Sequence, residues 1–262
     1  MQLDVRTEGD PGGTPVLLLH GFPQTAAAWD GVVPALAGAG HRVLVPTQRG
    51  YSATARPRGR GAYRMSELVA DVVELIDAPV HLVGHDWGGA VAWAVAGRRP
   101  ELLRSLTVVS TPHPRALAKA AVTSKQALMS WYIGLFQLPV LPERALLADD
   151  AKGLRTVLRG LPKASVETYV AAMQQPGALT AALNWYRALP LAGRGGGGPV
   201  TVPTLYVWGE RDPALGRTAA ELTGDHVSGP YEFVPVPGAG HWIPERNPDA
   251  LLAALLPHLA AH

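Results

Sequence analysis

Cysteine is absent from the 262-residue chain, which excludes disulfides, thiolate nucleophiles and cysteine-held metals in one step. Charge is scarce: Asp, Glu, Lys and Arg make up 17% of the chain, and the net charge is +2. Neither a disordered polyelectrolyte nor a strongly basic nucleic-acid binder fits that balance. The densest basic cluster, Arg56, Arg58, Arg60 and Arg64, sits among Pro57, Gly59 and Gly61 and reads as a solvated surface loop. No apolar run reaches the roughly 18 residues that a membrane span needs. Met1-Gln2-Leu3-Asp4-Val5-Arg6 lacks the basic start and apolar stretch of a secretory signal. The expectation is a cytoplasmic protein without membrane or nucleic-acid partners.

What is present is apolar material, 47% of residues, broken by 29 Gly and 24 Pro. That suffices for a large soluble core with many turns. Short apolar runs read as buried strands: Val16 to Leu19, Val43 to Val45, Val80 to Val83, Leu106 to Val109, Thr204 to Trp208 and Tyr231 to Val236. Between them lie helical patterns, such as Ser66 to Asp77 with Leu68, Val69, Val72, Val73, Leu75 and Ile76 on one face, and Gly88 to Arg98. A last helix is expected from about Pro248 to Leu259. Alternation of this kind predicts an α/β protein with a mainly parallel sheet flanked by helices.

The alternation stops for about 80 residues. Ala116 to Phe136, Arg144 to Leu158, Ser165 to Met173 and Leu179 to Leu189 all read as helices, followed by a flexible Gly195–Gly198 stretch. The division expected is a core of residues 1–111 and 199–262, interrupted by a helical cap and linker over 112–198.

Chemistry concentrates in the loops that follow strands. Gly84-His85-Asp86-Trp87-Gly88 joins a strand to a helix, and small residues two before and two after Asp86 permit a tight turn that exposes one side chain. A carboxylate there meets the positive end of the helix and stays ionised, which suits a nucleophile. Taken alone, such a string is also an ordinary turn. Asp212 follows the strand ending at Trp208, and His241 lies in the glycine-rich loop after the last strand. The chain order Asp86, Asp212, His241 is that of one nucleophile–acid–histidine lineage. His20-Gly21-Phe22 can aim the Phe22 N–H into the same pocket as the Trp87 N–H, two donors for an oxyanion. The other histidines lack metal-ligand spacing, so no metal is assigned.

These segments together resemble the α/β-hydrolase superfamily, and within it the epoxide hydrolases, over nearly the whole chain: His20-Gly21-Phe22-Pro23, Gln48-Arg49-Gly50-Tyr51, Gly84 to Gly89, Asp212 and His241. An aspartate nucleophile narrows the superfamily to epoxide hydrolases and dehalogenases. Epoxide hydrolases of this type use two cap tyrosines to hold and protonate the epoxide oxygen. Their motifs are matched by Tyr132-Ile133-Gly134-Leu135-Phe136-Gln137 and by Asn184-Trp185-Tyr186-Arg187. The resemblance therefore implies opening of a hydrophobic small-molecule epoxide to a vicinal diol through an ester on Asp86. His241 and Asp212 then activate the hydrolytic water, and no cofactor takes part.

Two alternatives stay open, a haloalkane dehalogenase-type hydrolase and a non-hydrolytic protein on the same fold. Haloalkane enzymes usually carry Asn or a similar halide donor where Phe22 stands, and fluoroacetate enzymes place arginines just after the nucleophile, where this chain has Gly88, Gly89 and Ala90. The chain departs from the pattern of the family it resembles at Thr47, where an acidic residue is usual. It is also short before Val16, which suggests loss of the first strand and a sheet of about seven.

Overall fold

The computed structural model describes residues 1–191 and 198–262. Among these, seven strands form one sheet: β1 Asp4–Gly9, β2 Pro15–Leu19, β3 Arg42–Thr47, β4 Val80–His85, β5 Leu103–Val109, β6 Thr204–Gly209 and β7 Tyr231–Val236. Their order is β1-β3-β2-β4-β5-β6-β7. Only β1 runs antiparallel, pairing Asp4 with Thr47 through Gly9 with Arg42. The count of seven agrees with the sequence, but β1 itself was not expected. It is an edge strand whose residues are mostly exposed, so it carries no apolar run to announce it.

Alternation along β2 divides the core. Leu17 and Leu19 face one apolar layer, while Val16 and Leu18 face the other. Helices α1 Val33–Gly38, α2 Met65–Glu74 and α3 Trp87–Ala96 connect the first strands. The layer containing Leu17 is closed by α2, α3 and the helices that follow β5. The layer containing Val16 also holds Leu36 of α1 and Leu251, Leu255 and Leu259 of the C-terminal helix Pro248–Ala261.

Between β5 and β6 the chain leaves the sheet for α4 Pro114–Thr123, α5 Gln126–Met129, α6 Trp131–Phe136, α7 Leu141–Val157, α8 Lys163–Gln174 and α9 Ala178–Arg187. The single helix expected over Ala116 to Phe136 is three. Breaks fall at Ser124–Lys125 and Ser130, and the Ser124 hydroxyl bonds back to the Ala120 carbonyl and accepts the Gln126 N–H. Serine competes in this way with helical backbone bonding. Helix α7 likewise breaks at Ala148–Ala151, where three residues take positive φ. After β6 come α10 Arg217–Glu221, α11 Ile243–Arg246 and α12 Pro248–Ala261. Gly195–Gly197, read as flexible, lie outside the described residues.

Part of the arginine-rich loop is not solvated. Arg56 donates to the carbonyls of Gly50, Tyr51 and Pro176, tying the loop after β3 to the helical insertion. Loss of the acidic residue at Thr47 does not loosen this region either. The Gln48 amide donates to the His20 carbonyl, and Arg49 forms a two-pronged, buried pair with Asp71.

Candidate active site

Every candidate residue on the sheet sits just past the C-terminal end of a strand, where open α/β sheets place ligands. Asp86 joins β4 to α3 at φ 50° and ψ −120°. A side chain in such backbone costs about 1–3 kcal/mol and persists only when its surroundings hold it there. The surroundings demand glycine. A Cβ at Gly84 would lie 2.3 Å from the Gly88 carbonyl oxygen, and one at Gly88 would lie 2.3 Å from that of Leu19. A Cβ at Gly21 would lie 2.3 Å from the Cβ of Asp86 itself. The turn is tight because three backbones meet at one side chain.

The Asp86 carboxylate does not cap α3, contrary to the simple helix-terminus expectation. Its Oδ1 accepts the Phe22 N–H at 2.6 Å, and its Oδ2 lies 3.6 Å from His241 Nε2. His241 Nδ1 donates to Asp212 Oδ2 at 2.7 Å, and Asp212 Oδ1 accepts the N–H groups of Ala214 and Leu215. The loops carrying the last two residues touch, since a Cβ at Gly209 would lie 2.3 Å from the Gly240 carbonyl oxygen. Asp86, Asp212 and His241 are thus brought together as expected. So is Phe22, whose N–H already points at Asp86. Trp87 opens α3, where the first N–H groups have no helical partner.

Electrostatics follow from this packing. Burial works against a charged His241, but the charge and hydrogen bond of Asp212, joined by Asp86, outweigh it and raise the ring to about 10. Burial also works against a charged Asp86, and His241, His85 and the Phe22 N–H nonetheless hold its carboxyl below the usual range. The two neighbouring aspartates thus favour the protonated ring in the resting site.

Tyr132 and Tyr186 reach the same place from α6 and α9. Together with Asp86, Phe22 and His241 they line a cavity of about 690 Å³. The same two tyrosines and Asp86 also line a neighbouring cavity of about 390 Å³ with Trp87, Trp93 and Ile133. The tyrosine rings stand 6.2 Å apart, with Phe136 edge-on to both at 5.6 and 5.0 Å. Burial, then the Asp86 charge, pushes both phenols upward, so they stay protonated donors.

The flanking motif residues interlock. Gln137 donates to the Tyr186 carbonyl at 2.8 Å, and Arg187 donates to the Phe136 and Leu138 carbonyls while pairing with Glu143. Trp185 donates to the Arg49 carbonyl, anchoring α9 to the core. Several residues around the site escaped sequence reasoning: Gln24, His85, Tyr169 and Glu245. Only His85, beside Asp86, had any signal, because a lone Gln, Tyr or Glu in a loop or helix carries none. Among the described residues no three His, Asp or Glu side chains group to hold a metal ion, and no helix is long and apolar enough to cross a membrane.

Residues 14–248 match the family model for the alpha/beta hydrolase fold. An AB hydrolase superfamily protein, YfhM of Bacillus subtilis, is 38% identical over 98% of this chain and 94% of its own length. Epoxide hydrolase A of Mycobacterium tuberculosis is 32% identical over 99% of this chain and 94% of its own length. The crystal structure of epoxide hydrolase A from Mycobacterium thermoresistibile superposes with a TM-score of 0.87 at 30% identity, covering 98% of this chain and 95% of that one. Fold and site alike define an α/β-hydrolase. Within that superfamily the chain belongs to the epoxide hydrolases.

Proposed function

We propose that this epoxide hydrolase opens its substrate through a covalent ester on Asp86, with the insertion helices from Pro114 to Arg187 serving as a cap over the site. The observation that carries this reading is the convergence on one cavity of an ionised Asp86, the His241–Asp212 pair and two protonated tyrosines. Tyr132 and Tyr186 donate hydrogen bonds to the epoxide oxygen. Asp86 Oδ2 attacks a ring carbon, the carbon–oxygen bond breaks, and the alkoxide takes a tyrosine proton that solvent later returns. Oδ1 remains under the Phe22 N–H and becomes the carbonyl oxygen of the ester. His241, with Asp86 neutralised by esterification, gives its extra proton to solvent; the neutral ring then takes a proton from water, and the water oxygen attacks the ester carbonyl carbon. The N–H groups of Phe22 and Trp87 hold the resulting oxyanion. Collapse releases the diol, whose leaving oxygen takes the proton from His241, and the second water proton, left on the Asp86 carboxyl, passes to His241 and restores the resting pair. The apolar cavity wall of Phe22, Trp131, Phe136 and Trp242 suits a hydrophobic epoxide.

Single-turnover hydrolysis of styrene oxide in ¹⁸O-water tests the scheme. The first-turnover diol is expected unlabelled, with the label in the Asp86 peptide. Label appearing directly in that diol would mean that water opens the epoxide and Asp86 is not the nucleophile.

The tyrosines supply a separate prediction. Tyr132→Phe and Tyr186→Phe should each slow ester formation by about 10²-fold or more, as loss of a positioned general acid does. The double variant should be slower still. Stopped-flow tryptophan fluorescence reports the step, because Trp87 lies 5.0 Å from the Tyr186 ring. Unchanged ester formation in the double variant, or halide release from a haloalkane, would favour a dehalogenase instead.

A further inference from the structure

A second buried polar chain links the two loops that the proposed mechanism uses. Gln24 is fully buried, and its Oε1 accepts the Gly21 N–H at 2.9 Å, one residue before the Phe22 donor. The same oxygen lies 2.9 Å from Nδ1 of His85, which is also fully buried. The other His85 nitrogen lies 2.9 Å from the His241 carbonyl, an oxygen that Ser110 Oγ already serves. Burial lowers His85 to about 4, so the neutral ring donates its one proton to either of these two oxygens, Gln24 Oε1 or the His241 carbonyl, which accepts from Ser110 as well. Gln24 Nε2 donates in turn to Glu245 Oε1 at 2.6 Å. That carboxylate oxygen also accepts the hydroxyl of Tyr169, a fully buried residue of α8 in the helical insertion. Glu245 Oε2 is buried without a partner. Burying a carboxyl with one oxygen unsatisfied costs free energy that packing alone does not explain.

We propose that Glu245, acting through Gln24 and His85, is a positioning residue that holds the Phe22 N–H and the His241 loop in register, and that Tyr169 ties this register to the helical insertion. The inference rests on the mechanism proposed above. Donor and base act together in hydrolysis of the ester, where each must meet one tetrahedral centre. Ester formation instead draws on Asp86 Oδ2 and the two tyrosines. Loss of the chain should therefore fall unevenly on the two half-reactions.

Stopped-flow fluorescence with styrene oxide separates them, and mass analysis of the Asp86 peptide counts the ester. Glu245→Leu should slow ester hydrolysis by about 10–100-fold, the scale on which loss of a supporting hydrogen bond or a small misplacement acts. Ester formation should change far less, so the ester accumulates. Glu245→Gln keeps an acceptor for both Gln24 and Tyr169 and should restore hydrolysis. Tyr169→Phe, which removes one hydroxyl and little volume, should shift the balance in the same direction and serves if Glu245→Leu does not fold. Equal slowing of both steps, or a Gln variant as slow as Leu, would overturn the positioning role. Failure of the ¹⁸O experiment on the wild-type protein would instead sink the ester mechanism, so the two failures are distinguishable.

Discussion

Asp86→Asn is expected to lower kcat for epoxide opening by about 10⁴-fold or more, the scale of losing a covalent nucleophile. The substitution preserves shape, and the Asn oxygen can still accept the Phe22 N–H that Asp86 Oδ1 takes at 2.6 Å. What disappears is the anionic oxygen facing His241. An amide nitrogen has no free pair to offer a ring carbon, whereas Tyr132 and Tyr186 remain to bind the epoxide. KM should therefore change much less than kcat. Diol formation by freshly purified protein is the measurement, with peptide mass followed over days, because deamidation to Asp would slowly restore turnover. A rate near wild type in undeamidated protein would assign water, with His241 as its base, to the ring-opening step.

His241→Gln should separate the half-reactions completely. Ester formation needs Asp86 and the tyrosines, so one turnover proceeds. Hydrolysis needs a base, so the ester persists at close to one per protein and steady-state diol formation falls by about 10⁴-fold or more. Intact-mass analysis after mixing with styrene oxide reads the adduct, and turnover at the wild-type rate would refute the assignment of His241. The wild-type protein should show the same arrest at low pH. In the resting site Asp212 and Asp86 outweigh burial and raise His241 to about 10. Esterification removes the Asp86 charge and with it one of the causes of that rise, which frees the ring to act as a base. Acidification reprotonates it, while Asp86, held below the usual carboxylate range, stays ionised and reactive. Lowering the pH should thus slow hydrolysis before ester formation, and the fraction of ester at steady state should rise. A steady-state ester fraction independent of pH would contradict this order of titration.

Much of the site was legible because it rests on local geometry. Gly84 and Gly88 flank Asp86 at the spacing that a strand-to-helix reversal requires, and the structure shows backbone oxygens 2.3 Å from where their Cβ atoms would stand. Buried strands announced themselves as apolar runs. The edge strand Asp4–Gly9 did not, because its side chains face mostly solvent and its identity lies in backbone bonds to β3. The breaks at Ser124 and Ser130 were hidden by apolar spacing that continues through them, and the competition of the Ser124 hydroxyl for the backbone is visible only in the folded chain.

By itself, then, the chain's sequence determined the buried strands, the α/β order, the strained turn at Asp86 and which residue types wait at the strand ends. Those follow from φ/ψ preference and side-chain period, which act over a few residues. Tertiary structure alone decided that Phe22 N–H meets Asp86 across 64 positions and that Gln24 meets Glu245 across 221. It also decided that Gln137 of one tyrosine motif grips the backbone of the other. Such partners are chosen by packing. A polar group taken out of water must find whichever donor or acceptor the assembled core brings within reach.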